Sequence, residues 1–182
     1  MNFFRSRAAA LVLAAVCVCG SIVLNTRAKL GSECQKLEDT FYTSATNVKS
    51  IYSRLDQRAD AANGLWTIAQ KYGDTSAAAL STARQVLVAA CENRDIPSMY
   101  DANAELDAAF TACLTALGSS GLADNDKSAV RDYADTFAGA QKMIDEANYN
   151  SDVRSFVQKT YGVFPADVLA SISGVDAPAL YE

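Results

Sequence analysis

The amino-terminal part of the chain contains an uncharged, largely apolar stretch over Ala8–Thr26. A helix of about 20 apolar residues is long enough to cross the hydrocarbon core of a membrane. The pattern therefore predicts a transmembrane helix over 8–26, preceded by a short basic segment over 1–7 that carries Arg5 and Arg7.

A cleaved signal peptide is the alternative interpretation of this stretch. Arg5 and Arg7 would then form its basic region, and cleavage would fall near Ala28. The apolar run is longer than the usual core of a signal peptide, which favours a retained signal anchor. The same two arginines favour a cytoplasmic amino terminus, so we expect the rest of the chain to lie outside the cytoplasm.

Beyond residue 33 the apolar side chains recur at intervals of three, four and seven, and strand-type alternation is not visible. The first series predicts a helix of about ten turns from Leu37 to Tyr72. Its a-type and d-type positions hold Phe41, Val48, Leu55, Ala62, Ala69 and Leu37, Ile51, Leu65, Tyr72. Gly73 and Asp74 then predict the end of this helix and the cap of the next one.

Three further amphipathic helices are expected. The second helix is predicted over Ser76–Cys91, and Pro97 falls in the first turn of the third. Glycines between 118 and 121 end the third helix, and the fourth begins near Asp124 and continues to Gly162.

The predicted fold is all-α. Four amphipathic helices joined by short loops favour an antiparallel up-down-up-down four-helix bundle over 33–182, with long first and fourth helices. The tail beyond Pro165 is expected to add a short helical piece around 168–172. Cys34, Cys91 and Cys113 are expected far apart and reduced, or Cys34 alone pairs between two chains.

Composition narrows the functions that are compatible with this fold. The 182-residue chain has no histidine, which excludes mechanisms that need an imidazole as base, proton shuttle or metal ligand. From Ala28 onward 13 basic residues accompany 21 acidic ones, a net charge of −8, whereas nucleic-acid binding depends on clustered Lys and Arg. We expect no nucleic-acid partner, no cofactor and no metal site. A serine–lysine hydrolase remains open.

Two segments, 55–84 and 147–182, resemble the signature stretches of the LemA family, bacterial envelope proteins with one amino-terminal membrane segment and a helical bundle. The residues that carry the resemblance are Arg58, Asp60, Asn63, Tyr72, Arg84, Tyr149, Asn150, Phe164, Pro165 and the terminal Leu-Tyr-Glu. The chain resembles a distant member, because Ala62 and Gly139 stand where a proline and an acidic residue are common. The resemblance implies a helical bundle at the bacterial cell membrane and leaves the biochemical activity open.

Arg58 occupies a d-type position of the first helix, where an apolar side chain is usual. A buried guanidinium needs a carboxylate or several carbonyl oxygens around it. Counting from the shared loop places Arg58 level with Gly139, so that Asp135 and Asp145 are the nearest acids. One interpretation is an ion pair that fixes the register of the first and fourth helices, and the other is an anion-binding site. Asn150 is interpreted as a buried polar residue that specifies register.

A group of aromatic residues is expected at one level of the first and fourth helices, and two helices cannot cover that many rings. Its members are Phe41, Tyr42, Tyr52, Tyr149, Phe156 and Tyr161. Either the tail beyond Pro165 folds back over the rings, or the uncovered members, Phe41, Tyr42, Tyr52, Phe156 and Tyr161, form an apolar patch for a partner helix or a second subunit.

The first functional hypothesis is a LemA-like, membrane-anchored protein of the bacterial envelope. Its helical part would bind another protein in a scaffold or interaction role, without catalysis. The alternatives are the histidine-free hydrolase and a secreted helical ligand-binding protein released by cleavage near Ala28.

Overall fold

The structure, a computed structural model, describes residues 7–43 and 50–182. These residues form an all-helical fold without strands, so the all-α part of the fold prediction is confirmed. The helices are α1 (Arg7–Tyr42), α2 (Ile51–Lys71), α3 (Ala77–Asn93), α4 (Ile96–Gly118), α5 (Asp124–Asp145), α6 (Tyr149–Tyr161) and α7 (Ala166–Ser173).

α1 contains the predicted membrane segment. By length and composition it is the one helix in the described ranges that could cross a membrane. Its large apolar side chains between Leu11 and Leu24 are mostly exposed, and exposed apolar surface of this extent is unfavourable in water. The basic residue Arg5 of the predicted leader lies outside the described residues.

The prediction of one long first helix is wrong. α1 ends at Tyr42, and α2 begins at Ile51. Ser50 is extended and caps α2, because its hydroxyl accepts a hydrogen bond from the backbone N–H of Ser53 at 3.2 Å. Such a cap satisfies an amide that would otherwise need a preceding helical turn. Val48, a predicted core position, lies outside the described residues.

The long fourth helix is also two helices in the structure. α5 ends at Asp145, and α6 begins at Tyr149. The N–H of Ala147 bonds to the carbonyl of Ile144 at 3.1 Å, a tighter turn that commonly closes an α-helix. Hydrophobic periodicity did not reveal this break, because it continues on both sides of it.

The shorter elements follow the predicted punctuation. Gly73 has a φ of 66°, and the Asp74 carboxylate accepts the backbone N–H of Ser76 at 2.8 Å just before α3. Pro97 lies in the first turn of α4, where its missing N–H is not needed. The short helical piece predicted in the tail is α7.

Contacts divide the chain into two compact units. The second unit comprises Asp39–Asn150 and Ala179–Glu182. Within it α2 packs against α3, α4 and α5, and α3 packs against α4, so α2 is the central helix. Its largest fully buried apolar side chains are Phe41, Leu55, Leu65, Leu80, Leu87, Met99, Leu106 and Leu117.

The first unit comprises the chain through Glu38 together with Ser151–Pro178. Its core consists of residues from α1, α6, α7 and the segment after α7. The buried members are Leu30, Cys34 and Ala170, with Phe156, Tyr161 and Val175 packed against them.

We predict that Gly64→Ala lowers the free energy of unfolding by about 1 to 2 kcal/mol. A Cβ at this position of α2 would collide with the ring of Tyr133 on α5. Overpacking costs about 1 to 3 kcal/mol, which exceeds the gain of about 0.5 to 1 kcal/mol from replacing a helical glycine. Chemical denaturation of the full chain in detergent measures the change.

Gly139→Ala is the matched control, because a Cβ there meets nothing within 4 Å. It should stabilise the chain by about 0.5 to 1 kcal/mol. In a Tyr133→Ala background, Gly64→Ala should become stabilising as well. A destabilisation that persists there would show that the ring is not the cause.

Candidate functional site

Arg58 is a fully buried arginine on the central helix α2. Its Nη2 donates to the Asp107 carboxylate on α4 at 2.6 Å, and its Nη1 donates to the Gln141 side-chain carbonyl on α5. The guanidinium carbon lies 3.8 Å from the ring centroid of Phe137, and that ring stacks parallel on Phe110. One side chain therefore joins three helices through an ion pair, a hydrogen bond and a cation–π contact.

A second set of hydrogen bonds holds Gln141 in place. Its amide nitrogen donates to the Asp145 carboxylate at 2.7 Å, and its carbonyl oxygen also accepts from Asn103 at 3.0 Å. These partners fix which end of the amide faces Arg58, because only the carbonyl end can accept from a guanidinium. We name Arg58, Asn103, Asp107 and Gln141 the arginine cluster.

Burial governs the electrostatics of the arginine cluster. Desolvation lowers the pKa of Arg58, and the hydrogen bond and charge of Asp107 oppose that effect. The Asp107 side chain is 57% exposed, so water screens the carboxylate while the guanidinium stays dry. A guanidinium keeps its proton in such a site. Its buried positive charge must therefore be stabilised by these partners.

One nitrogen of the arginine side chain, Arg58 Nε, is buried and has no hydrogen-bond partner among the described residues. The buried Tyr181 hydroxyl interacts with the Asn103 side chain, and burial raises the pKa of Tyr181. The unmatched Arg58 nitrogen costs stability, which the ion pair and the stacked rings offset.

A cavity of about 290 Å³ opens beside the arginine cluster. Its lining includes Tyr100, Asn103, Asp107 and Gln141. An anion that entered it would meet the carboxylate of Asp107 first and would find both terminal nitrogens of Arg58 engaged. The arrangement therefore favours a structural lock on helix register over an anion-binding site.

The prediction of Asp135 or Asp145 as the acid beside Arg58 is wrong. The ion-pair partner is Asp107, whereas Asp145 accepts a hydrogen bond from Gln141 and acts on Arg58 through its charge. Asp135 is exposed. The counting compared the first helix with the fourth alone, whereas α4 also packs against α2.

The sequence contains a signal for the contribution of α4 to the Arg58 site. The core positions of α4 follow alternating steps of three and four, and Asn103 is the polar member of that series. The series is Ile96, Met99, Asn103, Leu106, Phe110, Cys113 and Leu117. A polar side chain at such a position indicates a buried polar partner on a facing helix, and Asp107 follows it by one helical turn.

The start of α6 binds the carboxy-terminal residues. The Asn150 side chain donates to the carbonyl of Tyr181 at 2.7 Å and accepts its N–H at 2.9 Å. The Tyr149 hydroxyl donates to the carbonyl of Ala179 at 2.7 Å. Two pieces of the LemA-like pattern, the Tyr-Asn pair and the terminal Leu-Tyr-Glu, are thus in direct contact.

The tail covers part of the aromatic group. Phe41 is fully buried, with ring centroids 5.3 Å from Tyr149 and 5.5 Å from Tyr181. Phe41 is therefore not available to a partner, contrary to the exposed-patch interpretation. Phe156 and Tyr161 are half-buried in the core of the first unit.

Tyr42 and Tyr52 border a groove between the start of α2 and the end of α3. Their ring centroids are 5.6 Å apart, and the Arg94 guanidinium lies 4.1 Å from the Tyr42 ring. Cys91 and Glu92 complete the lining of a cavity of about 310 Å³, and a second cavity of about 200 Å³ continues along both helices. We name these five residues the aromatic groove.

Two further residues of the LemA-like pattern connect elements of the second unit. The Tyr72 hydroxyl donates to the Asp126 carboxylate at 2.6 Å and accepts the backbone N–H of Ala123 at 2.9 Å, which ties the end of α2 to the start of α5. Arg84 Nε donates to the carbonyl of Ala59 at 3.1 Å, which ties α3 to α2.

The remaining pattern residues lie nearer the surface. Asp60 is exposed and Asn63 is half-buried on α2. Phe164 and Pro165 are exposed and directly precede α7. In the sequence these four residues cannot be distinguished from the pattern residues that connect helices. Only the structure separates the two sets.

The described cysteines are all free thiols. Cys34 and Cys113 are buried, and Cys91 is half-buried in the aromatic groove. Burial, followed by the charges of Asp56 and Glu92, raises the pKa of Cys91 from 9.0 to about 11. Over the described parts of the chain, Cys, Asp and Glu form no group of three that could hold a metal ion.

Comparison with known proteins found no match: no protein-family model matches this chain, and neither the curated proteins nor the solved structures contain a significantly similar one.

We predict that Asp107→Asn lowers the free energy of unfolding by about 1 to 3 kcal/mol, because it leaves the buried Arg58 charge without a counter-ion. Asp101→Asn, an exposed change on the same helix, should stay within about 0.5 kcal/mol. The double variant Arg58→Met/Asp107→Asn should lose less than the two single losses combined. Denaturation in detergent measures these three variants and the single variant Arg58→Met, and equal effects at 101 and 107 would contradict the register lock.

We predict that Cys91 resists alkylation at neutral pH. Its raised pKa keeps the thiol protonated, so its thiolate fraction near pH 7 is about 100-fold below that of an ordinary thiol. The labelling rate should keep rising until about pH 11, whereas in the unfolded chain it should level off near pH 9. Mass spectrometry of the Cys91 peptide after iodoacetamide treatment measures both rates, and identical pH profiles would contradict the prediction.

Proposed function

We propose that this chain is a LemA-like, single-pass protein of the bacterial cell membrane whose helical part lies outside the cytoplasm, binds another protein and performs no catalysis. The observation that carries the proposal is the combination of one long, exposed apolar helix at the amino terminus with a helical fold whose polar residues tie helices together. The partner is a different protein or a second copy of the chain.

The anchor part is supported by the surface of α1. Leu11, Val16 and Leu24 are exposed apolar side chains, and no charge interrupts Ala8–Thr26. Lipid hydrocarbon is the environment in which such a surface is stable, and a helix satisfies its own backbone hydrogen bonds there.

The bundle part is supported by packing and by loop length. α2 packs against α3, α4 and α5, and short connections join consecutive helices from α2 to α5. Short connections place consecutive helices antiparallel to each other. We therefore propose that α2 to α5 form the antiparallel up-down-up-down bundle.

A binding role, not catalysis, is supported by how the reactive groups are used. Four of the described lysines are paired with carboxylates, whereas a serine–lysine hydrolase needs a lysine amine beside a serine hydroxyl. The pairs are Lys36–Glu33, Lys71–Asp126, Lys127–Asp124 and Lys142–Glu146. The aromatic groove, by contrast, presents two half-buried tyrosines and an arginine, the residue types that most often anchor protein interfaces.

The LemA-like part of the proposal is supported by the roles of the resembling residues. Arg58, Tyr72, Arg84 and Asn150 each connect two or more elements of the second unit. Residues that fix a fold in this way are the ones that a distantly related sequence would retain.

We predict that the full chain stays in the membrane fraction after an alkaline wash and that a photoreactive amino acid at Tyr52 cross-links to one protein in intact membranes. The same probe at Thr111, exposed on α4, should not capture it, and Arg94→Glu should abolish the capture at Tyr52. Electrophoresis and mass spectrometry identify the product.

Other outcomes separate the alternatives. A mature amino terminus near Ala28 would support the secreted protein. Labelling of a serine by an active-site probe would support the hydrolase. Equal capture at both positions would contradict the proposed use of the aromatic groove.

A further inference from the structure

α7 and the residues before it present an exposed apolar surface in the first unit. Val163 is 53%, Phe164 79%, Val168 44% and Ile172 58% exposed. Val168 and Ile172 are one helical turn apart and share a face of α7, while Ala170 on the opposite side is buried. We name the four exposed residues the α7 face.

α7 lies beside the part of α1 that follows the apolar segment. Ala170 packs with Leu30 and Cys34. A mainly apolar groove of about 310 Å³ runs from Thr26 and Leu30 on α1 past Phe156 to Ala166 and Leu169 on α7. Its α1 wall also carries Lys29 and Glu33, and the Glu33 carboxylate is paired with Lys36. Thr26 is the last residue of the uncharged segment, so the groove begins where that segment ends.

The helical rise fixes the level of α7 relative to a bilayer. At about 1.5 Å per residue, Leu30 lies about 6 Å beyond Thr26 along α1. The polar layer on each side of the hydrocarbon core is about 5 to 8 Å thick. Cys34, the other α1 residue that packs with Ala170, lies about 12 Å beyond Thr26. With Ala8–Thr26 in the hydrocarbon, the end of the groove at Thr26 and Leu30 therefore lies at the level of the lipid head groups.

The charged residues around the end of the apolar segment are consistent with a position at the lipid head groups. Arg27 and Lys29 follow directly after the apolar segment, and basic side chains at this place favour lipid head groups. α7 carries Asp167 in its first turn as its one charged residue. Moving exposed valine, isoleucine and phenylalanine side chains from water into the acyl boundary of the interface lowers the free energy.

We propose that the α7 face is embedded in the membrane interface and that lipid acyl chains fill the groove between α1 and α7. The bilayer is the occupant because the wall of the groove and the membrane-spanning segment are parts of one helix. This inference rests on the proposed anchoring of α1.

Fluorescence quenching in liposomes tests the inference. The full chain has one tryptophan, Trp66, so a Trp66→Phe background leaves a single indole in each of three variants, Phe164→Trp, Val16→Trp and Val86→Trp. The variants are reconstituted into phosphatidylcholine vesicles with or without lipids brominated on the acyl chains near the glycerol. Phe164 is exposed, so an aromatic replacement there does not disturb the core.

The inference expects F164W to lose most of its fluorescence in brominated vesicles and its emission to shift to shorter wavelength. V16W, inside the predicted span, should be quenched too, and V86W, exposed on α3 of the second unit, should not.

Quenching of V16W without quenching of F164W would overturn the inference and leave the anchor intact. A blue shift of F164W without quenching would also overturn it, because protein and not lipid would then cover the face. An unquenched V16W would overturn the anchor, and the inference with it.

Discussion

The second unit depends on the constraint that a buried positive charge imposes. The Arg58 guanidinium is buried at the centre of the unit. The free-energy cost of removing it from water is offset only if its N–H donors meet acceptors that are held in fixed positions. Asp107 and Gln141 supply them from two other helices. A shift of one turn in any of the three helices would separate these groups, so the charge specifies register where apolar packing alone tolerates sliding.

The carboxy terminus belongs to the same arrangement. Asn150 binds both backbone groups of Tyr181, and the Tyr181 ring packs against Phe41 and against Tyr100. The tail has no helical periodicity of its own. The Asn150 side-chain amide holds it in place by donating and accepting hydrogen bonds as a backbone N–H and C=O would. The break between α5 and α6 places Tyr149 and Asn150 at the start of a helix, and from there both side chains bind the last residues.

The apolar stretch of α1 and the aromatic groove have different physical meanings. The apolar stretch of α1 is exposed along its length, so its partner must be lipid or another apolar surface. The aromatic groove is half-buried and combines rings with a guanidinium and a carboxylate, which suits a protein partner with matching polar groups at its rim. The absence of histidine excludes imidazole chemistry at either surface.

Local signals in the sequence determined the helical class, the apolar segment, the caps around Gly73 and Pro97 and the unusual burial of Arg58, because each depends on residues within a few turns of one another. The partner of Arg58 and the division into two units depended on which helices pack together. Periodicity gives the face that a helix buries but not the neighbour that it meets. Only the tertiary structure therefore selected Asp107 over Asp135 and Asp145, because α4 and α5 both pack against α2.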